Sequence, residues 1–325
     1  MSNLERRPVE LLEEPTPPRA FGVEILEPRD VPLGGPRAMT VRRTLPQRRR
    51  SLIGSWCFVD HYGPDDVAER GGMVVPPHPH TGLQTVSWLF AGEVEHRDST
   101  GSHALVRPGE LNLMTAGRGI AHSEVSTPPT AVLHGAQLWI ALPDASRERE
   151  PFFEHFVPSP AGDGGATVRV FVGSLVGQSS PATVFTGLVG AQIDLPATTS
   201  LDLPVDPRFE HGVLVDTGNL ALEGQAVPTS HLGFVGEGRN VLRLTAGDEP
   251  VRVLLIGGEP LHEQIVMWWN FIGRSHEEIV AFRDEWQADV VAGGNNSGRF
   301  GTVRGYAGRP LTAPELPGVR LKPRD

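Results

Sequence analysis

From Met39 to Ile256 the chain is a succession of short apolar runs divided by turn residues, and this rhythm restricts the fold more than any other feature. Met39–Leu45, Leu83–Ala91, Glu93–Asp98, Ala104–Val106, Leu111–Thr115 and Leu138–Leu142 all read as strands. The breaks carry explicit turn chemistry: Ala91-Gly92-Glu93, Ser99-Thr100-Gly101 and Arg107-Pro108-Gly109-Glu110. Turns roughly every 8–12 residues are the signature of a sandwich or barrel. Within Leu83–Ala91, Val86, Trp88 and Phe90 share one face while Thr85 and Ser87 share the other, which predicts a half-buried strand.

The rhythm pauses in the Pro-, Gly- and Asp-rich stretch Pro158–Gly165 and then resumes with Val168–Val172, Leu188–Leu195, Gly212–Val215, Leu220–Leu222, Val241–Leu244 and Val251–Ile256. A chain of 325 residues is long enough for two domains. The pause divides it into residues 21–157 and residues 158–290. One helix is predicted over 275–290: Ser275 and Glu278 form a capping box, and Ile279, Phe282, Trp286 and Val290 follow at helical spacing. Residues 1–20, charged and proline-rich, are expected to be a mobile tail. Residues 291–325, opening with Gly293-Gly294-Asn295-Asn296-Ser297-Gly298, read as an extended and lightly anchored tail.

Composition matters chiefly for what it excludes. A formal net charge of −10, spread along the chain, disfavours nucleic-acid and membrane-surface binding, which need a basic face. Cys57 is the only cysteine, so neither an internal disulfide nor a cysteine-based zinc site can form. The first residues hold no apolar signal-peptide core, and no apolar run reaches the ~18 residues of a membrane span, so a cytoplasmic protein is expected.

The chemistry concentrates in His78-Pro79-His80. Side chains two apart on a strand share a face, so both imidazoles can lean onto one metal at roughly 2.1 Å. Pro77 and Pro79 stiffen the extended backbone. His122-Ser123-Glu124 repeats the spacing behind the loop Thr115-Ala116-Gly117-Arg118-Gly119. Two such strand pairs facing across a barrel would set His78, His80, His122 and Glu124 around one divalent ion. Mixed nitrogen and oxygen ligation with open positions suits oxygen chemistry, which puts Fe(II) first; Mn, Ni, Cu and Zn remain open on ligand type. His96, His103 and His134 read as strand residues or as supports rather than ligands. His61 either bonds nearby backbone or lines the pocket. His211 and His231 have no partner two residues away, so the second domain is expected to bind no metal.

These stretches resemble the pirin family, bicupins of the cupin superfamily. The similarity rests on Asp60-His61-Tyr62-Gly63-Pro64, His78-Pro79-His80-Thr81-Gly82, the run Glu93 to Ser99, and above all the run Met114 to Glu124; Gly257-Gly258-Glu259-Pro260-Leu261 adds to it. The resemblance implies an all-β fold of two facing jelly-roll-like barrels with a C-terminal helix, and one metal, usually iron, held by the first barrel. It also implies a quercetin 2,3-dioxygenase-like activity on a small aromatic, flavonol-like substrate and O₂. Glu124 would then be the base for the flavonol 3-hydroxyl, with a raised pKa. Trp88, Phe90 and Trp139 are candidates to line the pocket. The alternative is an iron- or redox-dependent regulator that binds a transcription factor or metabolic enzyme. Two departures stand out: Thr81 replaces a frequent arginine, and Gln84 stands where a glutamate is common and where it would be a hydrogen-bonding neighbour of the site.

Overall fold

A computed structural model describes residues 22–33, 39–69, 72–294 and 297–324, so the tail expected over residues 1–20 lies outside the described residues. The β-rich, turn-punctuated sequence folds into two barrels, each a large antiparallel sheet closed by a four-stranded one. In the first, Phe152–Phe156, Leu111–Thr115, Leu83–Ala91, Val132–Ala141, Trp56–Asp66, Met39–Leu45 and Arg29–Leu33 lie side by side in that order. Opposite them run Val74–His80, Ile120–Ser126, Val94–Asp98 and His103–Val106. The second barrel pairs a larger sheet, centred on Glu210–Thr217, Val251–Gly258 and Leu188–Leu195, with Ser200–Pro204, Val241–Ala246, Leu220–Leu222 and Gln225–Val227.

The expected half-buried character of Leu83–Ala91 does not hold: Thr85 and Ser87 are only 3% and 8% exposed. The strand lies inside the seven-stranded sheet, with the barrel interior on one face and the second domain on the other. Leu83 and Leu89 belong to clusters inside the first barrel. Val86 and Trp88 belong to a cluster shared between the domains, with Trp56 and Leu138 meeting Phe171, Leu188, Leu254 and Ile256. Each aliphatic or phenyl side chain buried there contributes about 1.5–3 kcal/mol. Trp88 packs at a tilt on Phe171, with ring centroids 4.6 Å apart, and donates its indole N–H to Gln192 at 2.9 Å. One boundary also moves. Glu24–Leu26, expected in the first domain, pairs with Leu232–Val235 and so covers an edge of the second sheet that would otherwise expose unpaired backbone groups.

The helix spans His276–Glu285, and Ser275 accepts the N–H of Glu278 at 3.2 Å. The reciprocal half of the capping box is missing, because the Glu278 carboxylate takes the N–H of Arg274 at 2.8 Å and pairs with Arg147. The predicted last turn widens into a π-helix over Trp286–Val291. Ile279, Phe282 and Trp286 pack on Phe271, Phe300 and Val303. The following segment has little regular structure but is firmly anchored: Phe300, Ala313 and Leu321 are buried, Trp286 donates to the Leu311 carbonyl at 2.8 Å, and Leu311 N–H donates to Pro77 at 2.8 Å. Apolar residues spaced along it bury against the helix, which a composition reading cannot foresee. Among the described residues, no helix is long and apolar enough to cross a membrane.

Candidate metal centre

Strand register brings the histidines together. Val74–His80 runs antiparallel to Ile120–Ser126, with His78 opposite His122 and His80 opposite Ile120. The register then shifts, so that Glu124 faces Val75 and one extra residue sits in the Pro76-Pro77 stretch. Neither proline has an N–H for the ladder, so a bulge there costs little pairing. Beyond Ile120–Ser126 lies Val94–Asp98, placing Asp98 opposite His122 and His96 opposite Glu124. Two glycines hold the approaches. A Cβ on Gly117 (φ +53°) would meet the Arg149 carbonyl at 2.1 Å, and one on Gly82 (φ +68°) the Ile272 carbonyl at 2.5 Å.

The ligating nitrogens of His78, His80 and His122 all lie within 4.8 Å of one another, and Nε2 of His80 is 3.1 Å from Nε2 of His122. Outward-facing bonds set the tautomers. His78 Nδ1 meets the Pro76 carbonyl at 2.8 Å and His80 Nδ1 the Asn270 carbonyl at 3.2 Å. A carbonyl only accepts, so both Nδ1 atoms carry the proton and both Nε2 lone pairs point inward. His122 Nδ1 faces His96 Nδ1 at 3.3 Å. The three rings are 0%, 0% and 1% exposed. Burial disfavours the charged imidazolium: it pushes His78 down to about 3 and His80 and His122 well below the ordinary histidine value. All three are therefore neutral at neutral pH, the state in which imidazole binds a metal. Among the described residues, Nε2 of His78 is buried with no hydrogen-bond partner. Converging neutral lone pairs around an unpaired buried nitrogen fit a divalent cation.

Glu124 projects from the same strand two residues after His122 and is 2% exposed. Its carboxylate stands outside the set in which every candidate ligand atom is within 4.8 Å of every other. Burial favours its neutral acid, yet its pKa lies below the usual glutamate value. This is opposite to the raised pKa expected for a base. Beside the imidazoles Trp139 stacks on Phe58 at 4.0 Å and meets His80 edge-on at 5.1 Å. Arg43 lies 4.2 Å over Phe58 and forks onto Asp60 at 2.6 and 2.8 Å.

The other site candidates lie elsewhere. Gln84, Trp88 and Phe90 share the face of their strand that turns toward the second domain. Gln84 donates at 2.9 Å to both Thr115 and the Thr183 carbonyl rather than supporting a ligand. Alternation identifies residues that share a face, but not which face meets the imidazoles. Of the three proposed pocket aromatics, only Trp139 reaches them. His61 also leaves the site and bonds Asp216 of the second domain.

That contact forms a second buried group of metal-ligating residues, His61, His134 and Asp216. One Asp216 oxygen lies 2.7 Å from His61 Nε2 and 2.6 Å from His134 Nε2. Those distances are hydrogen-bond lengths, closer than two atoms bound to one metal normally approach. Arg42, which can only donate, points at His61 Nδ1 at 3.4 Å, so the ring's proton sits on Nε2 and is given to Asp216. Arg252 stands 3.6 Å from the other Asp216 oxygen, a second cation where a metal would be repelled. Here the protons are reversed, with Nε2 rather than Nδ1 donating, and the group is an interdomain clasp. Nothing local in the sequence marks Asp216, because its histidine partner lies 155 residues away.

Comparison with known proteins agrees with this architecture. The Pirin family model matches residues 38–140, and the model of the pirin C-terminal cupin domain matches residues 190–291. A Pseudomonas aeruginosa protein provisionally named a quercetin 2,3-dioxygenase is 41% identical over 89% of each chain. A pirin-like protein of Caulobacter vibrioides is 33% identical over 76% of this chain and 88% of its own. The crystal structure of a quercetin 2,3-dioxygenase from Acinetobacter baumannii superposes with a TM-score of 0.85 at 37% identity, covering 92% of this chain and 97% of that one.

Proposed function

This chain belongs to the pirin family, and from that premise we propose that it is a metal-dependent dioxygenase acting on flavonol-type substrates. In this reading His78, His80 and His122 hold one divalent ion, Fe(II) first among the candidates, with Glu124 completing the set. The observation that carries it is the inward convergence of buried, neutral Nε2 atoms fixed by outward Nδ1–H bonds. When bound, the metal supplies charge stabilisation for an ionised hydroxyl and a redox-active centre for O₂ chemistry. The chain's own part is orientation, exclusion of water and custody of one proton. In this reading Glu124, as a carboxylate, accepts the flavonol 3-hydroxyl proton. Trp139, edge-on to His80, sets an apolar ring beside the imidazoles.

The test uses protein loaded with Fe(II) under nitrogen, then given quercetin and air, with flavonol absorbance followed and carbon monoxide trapped. Carbon monoxide should appear in step with flavonol loss, and His80→Ala should fall to the rate of free iron. Wild-type protein no faster than free iron would overturn the dioxygenase reading.

The near-complete burial of the imidazoles, with Asn270 against His80 and Leu311 bonded to Pro77 beside His78, favours a second reading, a metal-dependent regulator. Metal occupancy would then alter protection of the segment 299–311, which hydrogen exchange measures directly. Identical exchange with and without metal would count against it.

A further inference from the structure

His122 is the one imidazole of the three whose outward nitrogen meets another imidazole, His96, rather than a carbonyl. A carbonyl dictates the tautomer of the ring it faces. An imidazole does not, because its nitrogen can donate or accept. We propose that Asp98 and His96 are positioning residues that hold His122 in the tautomer a metal requires, a relay running Asp98 to His96 to His122. The inference rests on the metal-centre reading above.

The relay is built from the end farthest from the site. Asp98 is 2% exposed, and its Oδ1 accepts the N–H of Thr100 at 2.9 Å, the Thr100 hydroxyl at 2.7 Å and the N–H of Ser102 at 3.0 Å. The turn Ser99-Thr100-Gly101 thus fixes the carboxylate and leaves Oδ2 facing His96 Nε2 at 3.1 Å. A carboxylate only accepts, so His96 carries a proton on Nε2, and the relay has its Nδ1 accept from His122. His122 must then donate from Nδ1, which leaves its Nε2 bare toward His80 and His78. His96 is 4% exposed and stacks on Phe153 at 4.7 Å, so its ring plane is also held. Strand register explains the alignment: Asp98 and His96 lie two apart on one face of the strand that pairs with His122 and Glu124. Carboxylates and backbone groups behind metal-bound histidines generally set ring orientation, and losing one weakens binding by roughly 10–100-fold.

The test is made on the full chain with ¹⁵N-labelled histidine and with Co(II) as the probe metal. Long-range ¹H–¹⁵N spectra of metal-free protein should show His122 as the Nδ1–H tautomer. His96→Phe, which keeps a ring against Phe153, should release that tautomer, and Asp98→Asn should do so in part. Both variants should bind Co(II) about 10–100-fold more weakly in chelator competition, with displaced visible bands. His96→Gln, whose amide oxygen can accept from His122, should recover part of the affinity. Near-UV circular dichroism checks folding; should His96→Phe not fold, Asp98→Asn carries the test. Wild-type His122 bearing its proton on Nε2, or variants matching wild type in Co(II) affinity and spectrum, would overturn the relay. Wild-type protein that takes up no Co(II) while His122 is the Nδ1–H tautomer would instead overturn the metal centre and leave the proton arrangement standing.

Discussion

At the scale of single residues, burial and protons decide what each histidine does. His78, His80 and His122 lose their charge to desolvation and aim lone pairs at one point, while His61, with Arg42 on its other nitrogen, can only give a proton away. The double variant His78→Ala/His122→Ala is therefore expected to abolish metal binding, measured by elemental analysis after loading, where wild type should hold about one ion. Retained stoichiometric metal would reject the ligand set. Glu124 stands outside the tight imidazole group, so Glu124→Gln should weaken binding less than His80→Ala does. Equal losses in isothermal titration would place the carboxylate among the inner ligands. Period-two spacing made the His78/His80 pair and the His122/Glu124 pair legible in the sequence. The role of Gln84 was not legible, because parity does not say which face of a strand turns toward the imidazoles.

At the scale of elements, the site depends on how strands and turns meet. The Pro76-Pro77 bulge turns a carbonyl onto His78, and Gly82 lets the Asn270–Ile272 segment close over His80. Gly82→Ala combines a positive φ with a Cβ 2.5 Å from the Ile272 carbonyl. It should cost more than about 1 kcal/mol in urea unfolding and loosen the metal as well. Unchanged unfolding would show that the segment yields. Removing the helix cap with Ser275→Ala should cost about 1 kcal/mol, read from the same measurement. The cap and the helix start were legible because they depend on neighbours in sequence. The anchoring of the segment after residue 297 was not, since its partners Pro77, Arg118 and Trp286 lie far away in the chain.

Across the whole molecule, two barrels are joined by an apolar interface and by ionic contacts that include the clasp at Asp216. Burial favours the neutral acid of Asp216, but the N–H groups of His134 and His61 outweigh it and hold the carboxyl down to about 2. Because the folded value lies below the unfolded value of about 3.9, its contribution is complete above pH 4 and is lost as pH falls toward 2. His61 is also held below its ordinary value, by burial, so the unfolded chain takes up a proton below about pH 6.5 that the folded chain refuses. Both effects weaken the fold in acid. Asp216→Ala should lose about 3–5 kcal/mol at pH 7, and its stability should change less than that of wild type between pH 4 and 2. Thermal melts across that range read both outcomes, and parallel curves would remove Asp216 from the acid response.

What the sequence determined by itself was whatever repeats locally: strands from turn spacing, shared faces from alternation, a helix start from its cap, and with them the barrels and the histidine set. Which faces meet was decided only by the tertiary structure. Asp216 reaches His61 across 155 residues, His96 falls behind His122 through strand register, and Glu24–Leu26 crosses to the second sheet. Side-chain periodicity is a property of the backbone and is written in every strand. Contact between distant strands depends on register and sheet packing, which no short stretch of sequence contains.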